Sequence, residues 1–161
     1  IYIKMIAVYP GSFDPITLGH ENIIMRACKV FDQVIVGVAK NNKKNSMLTF
    51  DQRLELAKLT IKGSKNVSVL GYKGLTIDFL SSLDATVIIR GVRSEQDFIY
   101  ESEISSMNNM MNNNIETFFL PSSDNFKAIS SSRVKEIYGL GGDISKFVSN
   151  ETLSYLKSLS K

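Results

Sequence analysis

The sequence predicts a doubly wound α/β fold on a five-stranded parallel sheet. Three observations predict it. Apolar, β-branched runs alternate along the chain with stretches of helical periodicity, the runs are apolar at nearly every position rather than at alternate ones, and the connections are short. A strand apolar on both sides is buried on both faces, and alternating β and α elements supply the helices that cover it. With 161 residues, 43% of them hydrophobic, the chain is sized for one domain, residues 1–161, with a real core.

The elements follow in order. Ile3 to Val8 reads as a strand with Lys4 as its one polar interruption, and Gly19 to Phe31 repeats apolar residues at helical spacing. Gln33–Ala39 is a strand, Thr49–Ile61 a helix, Asn66–Tyr72 a strand and Leu75–Leu83 a helix. Ala85–Gly91 is the fourth strand, and a helix begins near Ser94. It ends in the asparagine-rich tract Asn108–Asn114, read as a solvated turn, before the fifth strand, Ile115–Pro121. The remainder is helical, Ile129–Gly139 and then about Asn150–Leu159. No Gly/Ser/Pro-rich linker intervenes, so these helices are expected to pack on the same domain.

Composition excludes little but narrows the field. A formal charge of +3 is too small a bias to identify a partner. Lys40, Lys43 and Lys44 cluster without an arginine-rich, aromatic-interleaved stripe, so a small phosphorylated ligand explains the cluster at least as well as a polynucleotide does, and no nucleic-acid partner is expected. No run reaches the eighteen apolar residues of a membrane span, and the N-terminal residues are too few and too strand-like for a secretory signal. The expected location is the cytoplasm. Cys28 is the one cysteine, forms no intramolecular disulfide, and is read as structural.

The chemistry concentrates in VYPGSFDPITLGH, Val8 to His20. In a parallel sheet, ligands bind where strand carboxyl ends meet helix N-termini, because the free N–H groups and the helix dipole favour anions. Gly11 is expected to allow a tight turn and close approach to a phosphate, Ser12 to offer a hydroxyl and an N–H, and Pro10 and Pro15 to stiffen the loop. The loop carries neither G-x-x-x-x-G-K-[ST] nor G-x-G-x-x-G, so it reads as a third kind of loop for a nucleotide triphosphate. His20 is the only histidine. A lone histidine is ordinarily structural, but one beside Gly19 at a helix start facing a phosphate site is placed to donate to a phosphoryl oxygen as charge develops.

GSFDPITLGH, IRGVR and ISSSRVKE together resemble the phosphopantetheine adenylyltransferase family, nucleotidyltransferases with an (H/T)xGH motif, here Thr17-Leu18-Gly19-His20. The likeness runs from Ile6 to the C-terminal helix. It implies a Rossmann-like nucleotidyltransferase fold and transfer of AMP from ATP to 4'-phosphopantetheine, giving dephospho-CoA and pyrophosphate with Mg2+. It further implies a homohexamer and CoA as a feedback ligand. By the resemblance Ser12, Phe13, His20, Gly91, Val92, Arg93, Glu101, Phe126, Ile129, Ser130, Ser131 and Ser132 contact ATP. Ser12, Lys44, Thr76 and Arg90 contact the acceptor, and His20, Lys44 and Arg93 act in catalysis.

Residue chemistry agrees in part and leaves alternatives open. Lys43 is one loop residue from Lys44 and would exchange with it on slippage. Arg90 ends an apolar strand, costly unless its fork reaches an anion or a salt-bridge partner. Glu101, with Glu103 nearby, reads as an ATP contact or a surface charge. The three serines cap a helix, and with Arg133 and Lys135 they also form an anion nest, of which Ser131 and Ser132 are the favoured phosphate contacts. Thr76 stands where the family often has leucine or methionine. No protein nucleophile is evident, so the expected mechanism is direct in-line attack on the α-phosphorus. The rivals are a sister enzyme, such as a nicotinamide-mononucleotide adenylyltransferase or a glycerol-3-phosphate cytidylyltransferase, and a non-catalytic nucleotide-binding regulator. ISSS and IRGVR favour the pantetheine enzyme over the sisters, and retention of His20 and the basic residues counts against the regulator.

Overall fold

The structure is a computed structural model that describes residues 4–40 and 45–159. Strands β1 (Ile6–Gly11), β2 (Gln33–Ala39), β3 (Val67–Tyr72), β4 (Val87–Val92) and β5 (Glu116–Pro121) form one parallel sheet in the order β3-β2-β1-β4-β5. Helices α1 (Leu18–Ala27), α2 (Phe50–Thr60), α3 (Thr76–Ser81), α4 (Glu95–Met111), α5 (Ser131–Gly139) and α6 (Asn150–Leu159) surround it, with a 3-10 turn at Asp124–Phe126. This is the doubly wound α/β architecture expected.

The period of two along each strand divides the apolar residues between two unequal faces. Ala7, Val34, Val36, Val38 and Ile89 meet Ile23 and Ala27 of α1, Leu56 of α2, Val134 of α5 and Leu156 of α6 in the larger core. Val8, Ile35 and Ile88 meet Ile77 and Leu80 of α3 and Ile115 in the smaller one. The C-terminal helices thus pack on the sheet's own core, as expected.

Boundaries shift where local pattern met long-range pairing. β1 was expected over Ile3 to Val8 but runs to Gly11, because β2 continues beside it with Tyr9 opposite Val36, Pro10 opposite Gly37 and Gly11 opposite Val38. α1 stops at Ala27 rather than Phe31; the amides of Val30 and Phe31 both return to the Ala27 carbonyl and close the turn. α4 extends into the asparagine tract as far as Met111, and only Asn112 to Asn114 form the turn, where the Asn112 side chain accepts from the Asn114 amide at 3.1 Å.

The feature that positions the site lies between β1 and β4. β1 pairs with β2 over six residues but with β4 only at Ala7–Val87 and Val8–Ile88. Beyond Val8 the two strands part, at the point where the strand order reverses and ligands enter such sheets. Pro10, with no N–H to give, falls past the last residue paired with β4, and its carbonyl accepts from Arg90 Nη1 at 2.6 Å. On β4, a Cβ at Gly91 would stand 3.1 Å from Ile23 Cγ1, so glycine here lets α1 close over the gap.

Candidate active site

The gap opens into a cleft of about 520 Å³, within the usual range for a small-molecule site. Its walls are the 11–20 loop and α1, the end of β4, the start of α4, the 3-10 turn and the N-terminus of α5. The loop is built differently from expectation. Gly11 remains in the strand, and the left-handed turn falls to Phe13, at φ 49°. Glycine at position 11 makes room for the Phe13 ring, which lies 3.0 Å from where a Cβ would stand. Phe13 is buried, and its ring meets Tyr9 and His20 edge-on at 5.5 and 5.0 Å between centroids. The core therefore holds a backbone conformation that a non-glycine residue rarely adopts.

His20 is held by the helix it begins. The Thr17 amide donates to His20 Nδ1 at 3.0 Å, a capping box in which histidine fills the usual place of glutamate or glutamine. Because Nδ1 accepts that bond, the ring proton resides on Nε2. Burial, then the positive charges of Arg90 and Arg93, lower the His20 pKa from 6.5 to about 4. The residue is thus a neutral N–H donor at neutral pH. A measurement follows directly: turnover should show no histidine titration between pH 5 and 8. Over the same range the unfolded chain takes up a proton near pH 6.5 that the folded chain refuses until about 4, so the contribution of His20 to stability, full above pH 6.5, is lost as pH falls toward 4. Turnover that halves near pH 6.5 because of His20 would contradict this tautomer and its low basicity.

Arg90 and Glu101, predicted as separate contacts to two substrates, meet each other. Arg90 Nε donates to Glu101 Oε2 at 2.7 Å, and Nη2 bonds Oε1. With Nη1 also on Pro10, three of the five guanidinium N–H groups are committed and two remain for a ligand. Glu101 is buried on α4 with both oxygens on Arg90, so the surface-charge alternative is removed and its carboxylate orients the arginine. Arg93 is tethered similarly: Nε donates to Asp97 Oδ2 at 3.0 Å and Nη1 to the Ile129 carbonyl at 3.3 Å.

Opposite α1 stands the N-terminus of α5. Ser130 is the cap, its hydroxyl accepting from the Arg133 amide at 3.3 Å. Ser131 Oγ donates to the Pro15 carbonyl at 2.8 Å, which spends its proton on joining α5 to the loop. What Ser131 and Ser132 offer an anion at this end is therefore their first-turn amides, which have no partner within the helix, together with the Ser132 hydroxyl. Phe126 and Ile129 line the same wall.

A polar hub that the sequence pattern did not disclose ties these walls together. The Asp14 carboxylate, buried, accepts from the amides of Met47 and Leu48 at 2.9 Å each. Lys135 of α5 approaches the same carboxylate at 3.5 Å and donates to the Asn45 carbonyl at 2.8 Å. Arg53, 2% exposed, donates from Nη1 to the carbonyls of Ser12 and Ala39 at 2.7 and 3.0 Å. The loop, the end of β2 and the Asn45–Leu48 segment are thus fixed to one another. Nothing in the local motifs marks these residues, since each partner lies 14 to 121 positions away.

Ser12, Phe13, His20, Arg90, Gly91, Arg93, Glu101, Phe126, Ile129, Ser130, Ser131 and Ser132 all border the cleft. Val92 and Thr76 do not. Val92 is paired opposite Pro121, and the Thr76 hydroxyl is engaged with Tyr72 Oη at 2.9 Å at the start of α3. Lys43 and Lys44 lie outside the described residues, whereas Asn45 and Ser46 reach the cleft wall. Among the described residues no group of three or more acidic, histidine or cysteine side chains is placed to hold a metal. Asp14, Asp97 and Glu101, cleft carboxylates, are each committed to protein donors. Cys28 is half-buried at the end of α1, and burial raises its thiol pKa, which fits a structural residue.

Comparison with known proteins gives the family and the fold. The cytidylyltransferase-like family profile matches residues 8–137. The phosphopantetheine adenylyltransferase of Vesicomyosocius okutanii is 44% identical over 155 residues, covering 96% of this chain and 98% of its own length. That of Lachnoclostridium phytofermentans is 42% identical, with 94% and 93% covered. The fold is shared with the Plasmodium falciparum nicotinic acid mononucleotide adenylyltransferase complexed with NaAD, at a TM-score of 0.72 and 17% identity, covering 98% of this chain and 96% of that one. The sequence likeness thus lies with the pantetheine enzymes, and this chain belongs to the phosphopantetheine adenylyltransferase family, on the cytidylyltransferase-like fold.

Proposed function

We propose that the cleft between β1 and β4 is where ATP and 4'-phosphopantetheine meet, ATP along α1, the end of β4 and the start of α5, the acceptor phosphate by Ser12 and Arg90. The chain transfers the adenylyl group of ATP to 4'-phosphopantetheine, releasing pyrophosphate and dephospho-CoA. One observation carries the placement: a neutral histidine N–H on α1 and the first-turn amides of α5 border the same cleft at the strand-order reversal.

In this reading the acceptor phosphate attacks the α-phosphorus in line and pyrophosphate departs toward the α5 amides. His20 Nε2–H and Arg93 stabilise charge on the phosphoryl oxygens. Phe13, Gly91, Phe126, Ile129 and Ser130 to Ser132 shape the ATP side, and Val92 serves through its backbone. Glu101, expected as an ATP contact, acts instead by orienting Arg90 toward the acceptor phosphate. Lys44 is assigned to the acceptor phosphate, where a cation offsets repulsion between two anions. Thr76 is assigned to the pantetheine arm beyond the cleft. Mg2+ fits this donor set only as an ion carried in on the nucleotide's phosphates, since the cleft carboxylates Asp14, Asp97 and Glu101 are already committed.

Dephospho-CoA and CoA, which share the acceptor's chemistry, fit the same cleft, and CoA is assigned as a feedback ligand. Met107, Met110 and Met111 of α4 are more than half exposed, together with Tyr100 and Ile99; these exposed apolar side chains support the homohexamer. No helix among the described residues is long and apolar enough to cross a membrane; the protein is proposed as a cytoplasmic, non-membrane, single-domain enzyme. The test is purified protein with ATP, magnesium and 4'-phosphopantetheine, assayed for pyrophosphate, beside a parallel reaction with nicotinamide mononucleotide. Pyrophosphate should appear with the pantetheine acceptor alone. No release, or equal release with both, would overturn the assignment.

A further inference from the structure

Resting on that reading, we propose that the Tyr9 hydroxyl is a ligand contact, donating a hydrogen bond to a phosphoryl oxygen of the adenylyl group. Tyr9 lies on β1 just past Val8, the last residue paired with β4, so its side chain enters the space the parting strands create. The residue is 6% exposed and borders the cleft. Its ring is spent on packing, edge-on to Phe13 and 6.2 Å from the His20 ring, while its hydroxyl, which makes no hydrogen bond to the described residues, opens onto the cleft. A donor that faces a cleft is met by water until a ligand displaces it, and the ligand must then supply the acceptor.

The surroundings specify what that partner is. A Cβ on Gly91 would stand 3.7 Å from Tyr9 Oη, which places the hydroxyl beside the β4 end assigned to ATP. The charged groups facing it are Arg90, Arg93 and Glu101. The guanidinium groups have no acceptor, and both Glu101 oxygens are held by Arg90. Burial raises the phenol pKa to about 12, so it keeps its proton and serves as a donor. Two cations beside an unpaired donor attract an anion, and the anion brought to this point is the nucleotide's α-phosphate, next to His20.

Tyr9→Phe keeps the ring and removes only this donor. A hydrogen bond to a charged group accounts for roughly tenfold to hundredfold in affinity or rate. The variant should lose about that factor in kcat/KM for ATP and bind dephospho-CoA more weakly in calorimetry. Its affinity for 4'-phosphopantetheine alone and its melting temperature should stay unchanged. ATP and dephospho-CoA constants within twofold of the parent would overturn the proposal. So would equal weakening toward 4'-phosphopantetheine, or a fall in melting temperature with normal kinetics, which marks a structural hydroxyl. Failure of the parent protein to release pyrophosphate counts against the functional assignment instead, and calorimetry with ATP still reads the hydroxyl.

Discussion

His20→Ala is expected to lower kcat by roughly a hundredfold to a thousandfold, the usual loss when one preorganised donor to a developing phosphoryl or acyl oxyanion is removed. ATP binding should change far less, because the α5 amides and the Arg93 guanidinium, to which the ground-state triphosphate is assigned, are intact in the variant. The two effects separate in steady-state kinetics: a fall in kcat with KM for ATP near the parent value marks an interaction made in the transition state. The substitution also removes the acceptor for the Thr17 amide, so a loss of about 1 kcal/mol in stability accompanies it. Assays belong well below the melting temperature for that reason. Near-normal turnover would leave His20 with its capping role alone.

The second large effect concerns Arg90. Arg90→Ala strands the buried Glu101 carboxylate and frees the Pro10 carbonyl, and breaking such a pair from one side costs about 3 to 5 kcal/mol. It also removes the two guanidinium N–H groups assigned to the acceptor phosphate. Stability and function are separable here. Arg90→Ala combined with Glu101→Ala should recover a substantial part of the lost stability, since no unpaired charge is left behind. It should recover none of the acceptor affinity. Chemical denaturation with acceptor kinetics on the three variants distinguishes the two roles. Return of normal acceptor KM in the double variant would confine Arg90 to a structural part.

The architecture was legible because continuous apolar runs and helical periods are local. Gln33–Ala39 was read with its observed ends, and every other strand was found within a few residues. The first strand was misplaced because its extension depends on β2 supplying a ladder for Tyr9 to Gly11, information 27 residues away. At the site, motif chemistry located the loop, His20 and the α5 cap. It did not reveal how polar groups share partners. Arg90 and Glu101 were read as contacts to different substrates, and the fold pairs them. The Ser131 hydroxyl was read as a phosphate contact, and it donates to Pro15 from 116 positions away. Gly11 was read as the flexible turn, while the left-handed residue is Phe13 and the glycine makes room for its ring. Asp14 and Arg53 were invisible because a lone acid or base in a loop or helix gives no sign of the distant carbonyls and amides it will bind.

The central claim is that the cleft brings two phosphates together and lets one attack the other directly, with no residue of the chain taking the adenylyl group in between. The stereochemistry at the α-phosphorus tests it most directly. ATP made chiral there with sulfur and oxygen isotopes, used with 4'-phosphopantetheine, should give dephospho-CoA with inverted configuration, the outcome of a single in-line displacement. Retention would require two displacements and a covalent adenylyl-enzyme, and would contradict this account.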